Sequence, residues 1–188
     1  PKTPKPHAVA PKIIKMASWK SAVTESPICG KTHPDTFGAY NDIQLLKLQF
    51  ADDRLPQVRA IEVYHDGNLA FGYEFFYQDN VQVGHHIGAY VHPEVRCERF
   101  ELEEGEYLVS VGGRLGDICD AVNFTTSKGR VLQGGGKGGS PLQCSTGTAL
   151  KPYIVAMGAG MGGHLHNLKC FYVDLASHPQ LASQLGPQ

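Results

Sequence analysis

The stretch Glu106-Tyr-Leu-Val-Ser-Val-Gly-Gly-Arg-Leu-Gly-Asp-Ile-Cys-Asp120-Ala-Val-Asn-Phe124 decides the fold, because a later stretch repeats its plan. The repeat is Pro152-Tyr-Ile-Val-Ala-Met-Gly-Ala-Gly-Met-Gly-Gly-His-Leu-His166-Asn-Leu-Lys-Cys170-Phe171. Each opens on a short apolar-biased run, passes a glycine-rich loop and ends in a run alternating apolar with polar residues. Each loop closes on Gly-x-x-x-(Asp or His), from Gly116 to Asp120 and from Gly162 to His166. A third glycine cluster, Gly134 to Gly139, lies between them. A hairpin repeated with its glycine loop implies symmetry-related loops, and loops at one end of a β scaffold commonly carry binding sites.

Outward from this pair, apolar residues recur at period two and helix signals are scarce. Ile43 to Phe50 reads by alternation and stops at Asp52-Asp53, before Pro56. Val58 to Tyr64 alternates, and Asp66-Gly67 supplies a tight turn. Ala70 to Tyr77 is aromatic-rich, and alternation puts Phe71, Tyr73, Phe75 and Tyr77 on one face, which points to sheet packing. Val81–Gly88 and Val95–Leu102 follow, giving ten to twelve short strands at hairpin spacing, the pattern of a sandwich, barrel or prism. One helical turn is expected at Gln180–Leu185.

The 188 residues suffice for one domain that buries its own core, and the net charge is −1. Residues 1–20 hold five lysines, four prolines and no acid, leaving 12 basic against 18 acidic side chains in the rest. Such a composition reads as an extended arm or leader remnant that nucleic acid, an anionic membrane or an acidic protein could attract, or as a plain solvated tail. The division expected is a basic arm at 1–24, a domain at 25–175 and a tail at 176–188. No apolar run is long enough to span a bilayer as a helix. The five cysteines lack Cys-x-x-Cys spacing, which argues against a disulfide framework and a zinc knuckle. Buried free thiols suit a reducing compartment and the sequon Asn123-Phe124-Thr125 a secreted one; the sequence leaves both open.

The order Ile61-x-Val63-Tyr64, then Tyr107-Leu-x-Ser110-Val-x-Gly113, Asp120-x-Val122-x-Phe124-x-Thr126 and Gly134 to Gly139, then Ile154-Val155 and Leu165-x-x-Leu168, resembles the jacalin-related lectins. The resemblance spans about residues 25–173. It implies a β-prism of three four-stranded Greek-key sheets about a pseudo-threefold axis. It also implies metal-independent binding of mono- and oligosaccharides, without cofactor or catalysis, chiefly where the last Gly-x-x-x-Asp loop meets an N-terminal Gly-Gly loop. The chemistry suits the residue types. A carboxylate accepts two neighbouring hydroxyls in charge-assisted bonds, and glycines let backbone N–H groups approach a sugar ring. One hexose buries few apolar atoms, so its affinity is expected at roughly 0.1–1 mM.

This chain departs from the pattern in the last loop. His166 stands where the aspartate is expected, and a neutral imidazole offers one acceptor. The N-terminal counterpart around Gly30 has one glycine. Gly30, Gly162, Gly163, His164 and His166 are therefore expected to form a damaged secondary site. The middle loop keeps the full motif. By threefold logic Gly116, Asp117, Ile118, Cys119 and Asp120 should meet Gly135, Gly136 and Gly138 in one shallow carbohydrate pocket, with Lys137 at its rim. In the competing reading Asp120 caps its own loop and the glycines only make turns.

Other signals carry less. Gly134–Gly139 with Lys137 mimics a phosphate loop, but Val131 replaces its first glycine. His164-x-His166 with His85-His86 has no acid or cysteine placed to complete a metal site, and Glu103-Glu104 reads as a solvated turn. Trp19 packs the arm onto either the domain or a partner. Two functions follow: glycan recognition through the middle loop, or a lectin-fold assembly subunit whose sugar site has decayed and whose residues 1–20 dock on a protein partner. The sequence does not decide homo-oligomerisation.

Overall fold

The computed structural model describes residues 18–36 and 38–185. The chain opens with helix α1 (Trp19–Ala22) and strands β1 (Thr24–Glu25), β2 (Cys29–Gly30) and β3 (Gly38–Asn41), followed by helix α2 (Asp42–Gln49). Next come β4 (Val58–His65), β5 (Ala70–Tyr77), β6 (Gln82–Ile87) and β7 (Arg96–Glu101). The repeated stretch supplies β8 (Leu108–Leu115), β9 (Cys119–Thr126), β10 (Val131–Gly135) and β11 (Ser140–Gln143). Strands β12 (Pro152–Met161) and β13 (Leu165–Asp174) precede helix α3 (Pro179–Ala182) and a 3-10 turn at Ser183–Leu185.

Three hairpins, β4–β5, β8–β9 and β12–β13, are the centres of three antiparallel sheets. Two sheets have the Greek-key orders β6-β5-β4-β7 and β10-β9-β8-β11. The third is completed from the N-terminal side, with β3 on β12 and both β1 and β2 on β13. Strand β1 lies opposite Phe171 and Tyr172 and β2 opposite Asn167 and Leu168, so together they make one broken edge strand. The repeat extends to irregularities. The ladder slips between Val58 and Ala60, Leu108 and Ser110, and Ile154 and Ala156, and again near each tip. Bulges at matching places bend each hairpin alike, as closure into a prism requires. This is the β-prism of three sheets that the resemblance implied.

The inward faces are apolar by alternation. Val63, Val111, Phe124 and Leu168 are fully buried, as are Phe71, Tyr73, Phe75 and Tyr77, which are core residues. Buried phenols find partners: Tyr77 donates to the Val155 carbonyl (2.8 Å) and Tyr153 to that of Pro56 (2.7 Å). Trp19 is wholly buried, so it packs on the domain; residues 1–17, most of the basic arm, lie outside the described residues. Leu181 and Leu185 are buried too. Near the first repeat, Arg130 pairs with Glu106, whose side chain is wholly buried. Burial alone would raise that carboxyl, but Arg130, Thr126 and the Glu103 N–H hold it at about 2.

One segment corrects the sequence reading. Ile43–Phe50 is helical through Gln49, not extended. Apolar residues at 43, 45, 46, 48 and 50 fit both periods, so the start signal decides. Asn41 caps the helix by accepting from the Ile43 N–H (3.3 Å), and Asp42 occupies the first turn. Asp42 also accepts from Tyr73 Oη (3.1 Å) and lies 2.6 Å from His86 Nε2, which fixes the helix N-terminus on β5 and β6. Ile43, Leu46 and Phe50 then face the core, while Leu45 and Leu48 are exposed.

Candidate functional site

The three hairpin tips lie at one end of the prism. Register makes Asp120 in β9, Phe71 in β5 and His166 in β13 equivalent, each one residue past the start of its ladder. At the middle tip the turn is tight, with the Gly116 N–H donating to the Ile118 carbonyl (2.9 Å). Cys119 turns inward, its thiol 3.2 Å from the Ala121 carbonyl and pushed well up by burial, so it offers the site only backbone. Asp120, half-buried, turns toward the glycine cluster. A Cβ on Gly138 would stand 2.1 Å from Asp120 Oδ1, and one on Gly139 2.6 Å from Oδ2. The Gly136 N–H donates to the Asp120 carbonyl (2.8 Å), and Gly135 faces Ala121 in the ladder. The structure thus brings 116–120 and 135–138 together. The Asp120 carboxylate accepts no hydrogen bond among the described residues, so it does not cap its own loop.

The surroundings hold parts that the sequence did not announce. Arg114 clamps the glycine loop, donating through Nε to the Gly138 carbonyl (2.6 Å) and through Nη2 to that of Gly139 (2.8 Å). Gly136 rests on the first tip, where its Cβ would stand 2.3 Å from the Asn68 carbonyl. Asp66 braces that tip by accepting from the N–H groups of Asn68 (2.7 Å) and Leu69 (2.8 Å). Lys31 reaches across to Asp117 (3.2 Å) in an exposed ion pair, and Lys137 stands exposed at the rim. No sequence signal marks Arg114, whose partners are carbonyl groups, or Asn68, which supports Gly136 through its own backbone.

The last tip is closed by the chain's own segments. Gly30 lies against Asn167 in the ladder, so the expected secondary residues do converge. His166 is only 2 % exposed and its Nδ1 lies 2.6 Å from Thr36 Oγ1, with the His33 ring 4.7 Å away. The N–H groups of Ala89 and Tyr90 donate to the carbonyls of Gly162 and Gly163, both at 3.1 Å. The Tyr90 ring covers Gly163, where a Cβ would meet it at 2.0 Å. His164 packs between Phe71 and Tyr90. Burial lowers the pKa of both His164 and His166, against a smaller opposing pull from Asp66 on His164, and neighbouring histidines add to the lowering.

The remaining candidates have structural partners. His85 contacts Glu74 (2.7 Å) and His86 contacts Asp42. Glu103 pairs with Lys128 (2.8 Å). Among the described residues, no group of three metal-binding side chains forms. All five cysteines are free and only Cys97 is exposed. What the middle tip can do chemically is accept hydrogen bonds from hydroxyls at an open carboxylate beside side-chain-free backbone.

Comparison with known proteins agrees with this architecture. The family model described as a jacalin-like lectin domain matches residues 42–168. Calystegia sepium agglutinin superposes with a TM-score of 0.60 at 17% identity, over 80% of this chain and 96% of its own. A mannose-specific jacalin-related lectin from Morus nigra, solved in complex with mannose, gives 0.58 at 16%, over 86% and 99%. A lamprey immune protein gives 0.56 at 15%, over 81% of this chain; the chain spans only 45% of that protein. At these identities the superpositions show the fold alone, and no curated protein matches the sequence. The family match covers more than half of the 188 residues: the chain belongs to the jacalin-like lectin domain family.

Proposed function

We propose that this protein recognises carbohydrate, without catalysis or metal, through the middle tip. The observation that carries the reading is the Asp120 carboxylate, open to hydroxyls and facing the bare backbone of Gly138 and Gly139. In this reading Asp120 accepts two adjacent hydroxyls of a hexose, and Gly135–Gly138 and Asp117–Cys119 present their backbone. Lys137 stands at the rim. The mannose-binding descriptions of the Morus nigra lectin and of an Ananas comosus relative make mannose the first probe.

The test is a glycan array at two protein concentrations with Asp120→Asn beside the parent. Saturable binding that the substitution lowers at least about tenfold supports the reading, since a charge-assisted bond contributes about 1.5–3 kcal/mol. A second reading, an assembly subunit docking through residues 1–20, is favoured by the closed last tip. Silence across the array, with a co-purifying partner lost on removal of residues 1–20, would select it.

A further inference from the structure

The opposite end of the prism holds concavities of its own. Strand β4 runs from Val58 to His65, so its start lies roughly 23 Å from the tip at a rise of about 3.3 Å per residue. A cavity of about 500 Å³ opens there, bounded by Asp53, Leu55, Gln57, Arg59, Gln78 and Gln184. A second, of about 440 Å³, adjoins it and shares Arg59 and Gln78. Its wall is the β5–β6 turn, where Asp79 and Asn80 both have positive φ (62° and 59°), a conformation these residue types tolerate.

The amides of this cavity are held in place. Gln184 Oε1 accepts from the Leu55 N–H (2.6 Å), and Gln57 Nε2 donates to the Gln184 carbonyl (3.2 Å). Gln78 Nε2 donates to the Leu55 carbonyl (3.2 Å), while its Oε1 accepts from the Gln57 N–H. These bonds leave Gln57 Oε1 and Gln184 Nε2 with unused capacity, already oriented. Three guanidinium groups border the double cavity. Arg54 is engaged by Asp52 (2.5 Å) and Asp79 (3.0 Å), and Arg99 by Glu101 (2.6 Å) and Glu62 (3.0 Å). The guanidinium of Arg59, common to both cavities, has no hydrogen bond or ion pair among the described residues. The carboxylate of Asp53 is equally open.

We propose that this double cavity is a second saccharide site, for a sugar ring bearing a carboxylate. An open guanidinium takes a carboxylate in two parallel bonds, which a neutral sugar cannot offer. Asp53 and the free amide atoms of Gln57 and Gln184 take ring hydroxyls, acceptor and donor together. The volume matches cavities that enclose small ligands. The site shares no residue with the middle tip, so the two sites stand or fall separately. A chain binding sugars at both ends of its prism would bridge two glycans.

Calorimetric titration of the full chain with glucuronate, N-acetylneuraminate, methyl mannoside and acetate tests this, using the parent, Asp120→Asn, Arg59→Gln and Arg59→Lys. At least one acidic sugar is expected to bind the parent and Asp120→Asn alike. Its affinity should fall about tenfold or more in Arg59→Gln and by less in Arg59→Lys, with melting temperatures unchanged. The two acids report whether a uronate or a neuraminate fits. The proposal is overturned if neither binds, if acetate binds as tightly as the acidic sugars, or if affinity survives in Arg59→Gln. Loss in Asp120→Asn alone would return the binding to the middle tip.

Discussion

The middle and last hairpin tips share a backbone plan and differ in what surrounds one equivalent residue. At the middle tip Asp120 meets glycine backbone and keeps its carboxylate open. At the last tip His166 is sealed between Thr36, His33 and the segment through Tyr90. The first tip carries neither group, since Phe71 occupies the equivalent place and is buried. One hairpin module therefore yields an open acceptor, a filled joint and a supporting wall, depending on a single residue and on the segments laid over it. The lesson is that the Gly-x-x-x-Asp spacing specifies a turn, whereas access depends on chain from elsewhere.

The largest expected effect comes from placing the motif's aspartate in the last tip. His166→Asp puts a carboxylate where the side chain is 2 % exposed and deletes the contact with Thr36. It should lower stability by roughly 1–3 kcal/mol in urea unfolding and create no sugar binding there. A gain of binding would show that the tip opens readily. Next, Gly138→Ala sets a methyl 2.1 Å from Asp120 Oδ1, so the carboxylate must rotate away. Sugar affinity should fall about tenfold, or about 1.4 kcal/mol, with little change in melting temperature because the displaced group is a side-chain end.

The tips should also part with pH. A histidine whose pKa is lowered on folding contributes stability above its unfolded value near 6.5 and loses it as pH falls through the lowered value. His164 and His166 are both of this kind. Protection factors at 162–166, taken against the intrinsic exchange rate at each pH, should therefore fall between pH 7.5 and 5, while those at 116–120, which has no histidine, hold. Equal behaviour of the two tips would contradict the sealed joint. The smallest effect is expected from Lys31→Ala, which removes an exposed pair with Asp117. Stability should change by less than about 0.5 kcal/mol.

Much of the frame was legible in the sequence. The alternation and paired glycine loops of 106–124 and 152–171 predicted two hairpins, and the meeting of Asp120 with the 134–139 cluster followed from threefold reasoning alone. The repeat at 58–77 was fainter because Phe71 removes the motif while the ladder slips persist. Helix α2 was misread because its five apolar residues satisfy two periods at once. The seal on the last tip was invisible, since Thr36 and Tyr90 are far from His166 in sequence and two of its bonds run backbone to backbone. The Arg114 clamp was hidden for the same reason: carbonyl acceptors leave no trace in residue identity.

The most direct test follows backbone amide shifts by NMR while the chain is titrated with methyl mannoside, and then with other neutral hexoses that the array returns. The account predicts saturable shifts in Gly116–Asp120 and Gly134–Gly139, with Gly162–His166 unmoved. Shifts confined to 162–166, or binding that leaves 116–120 untouched, would contradict it.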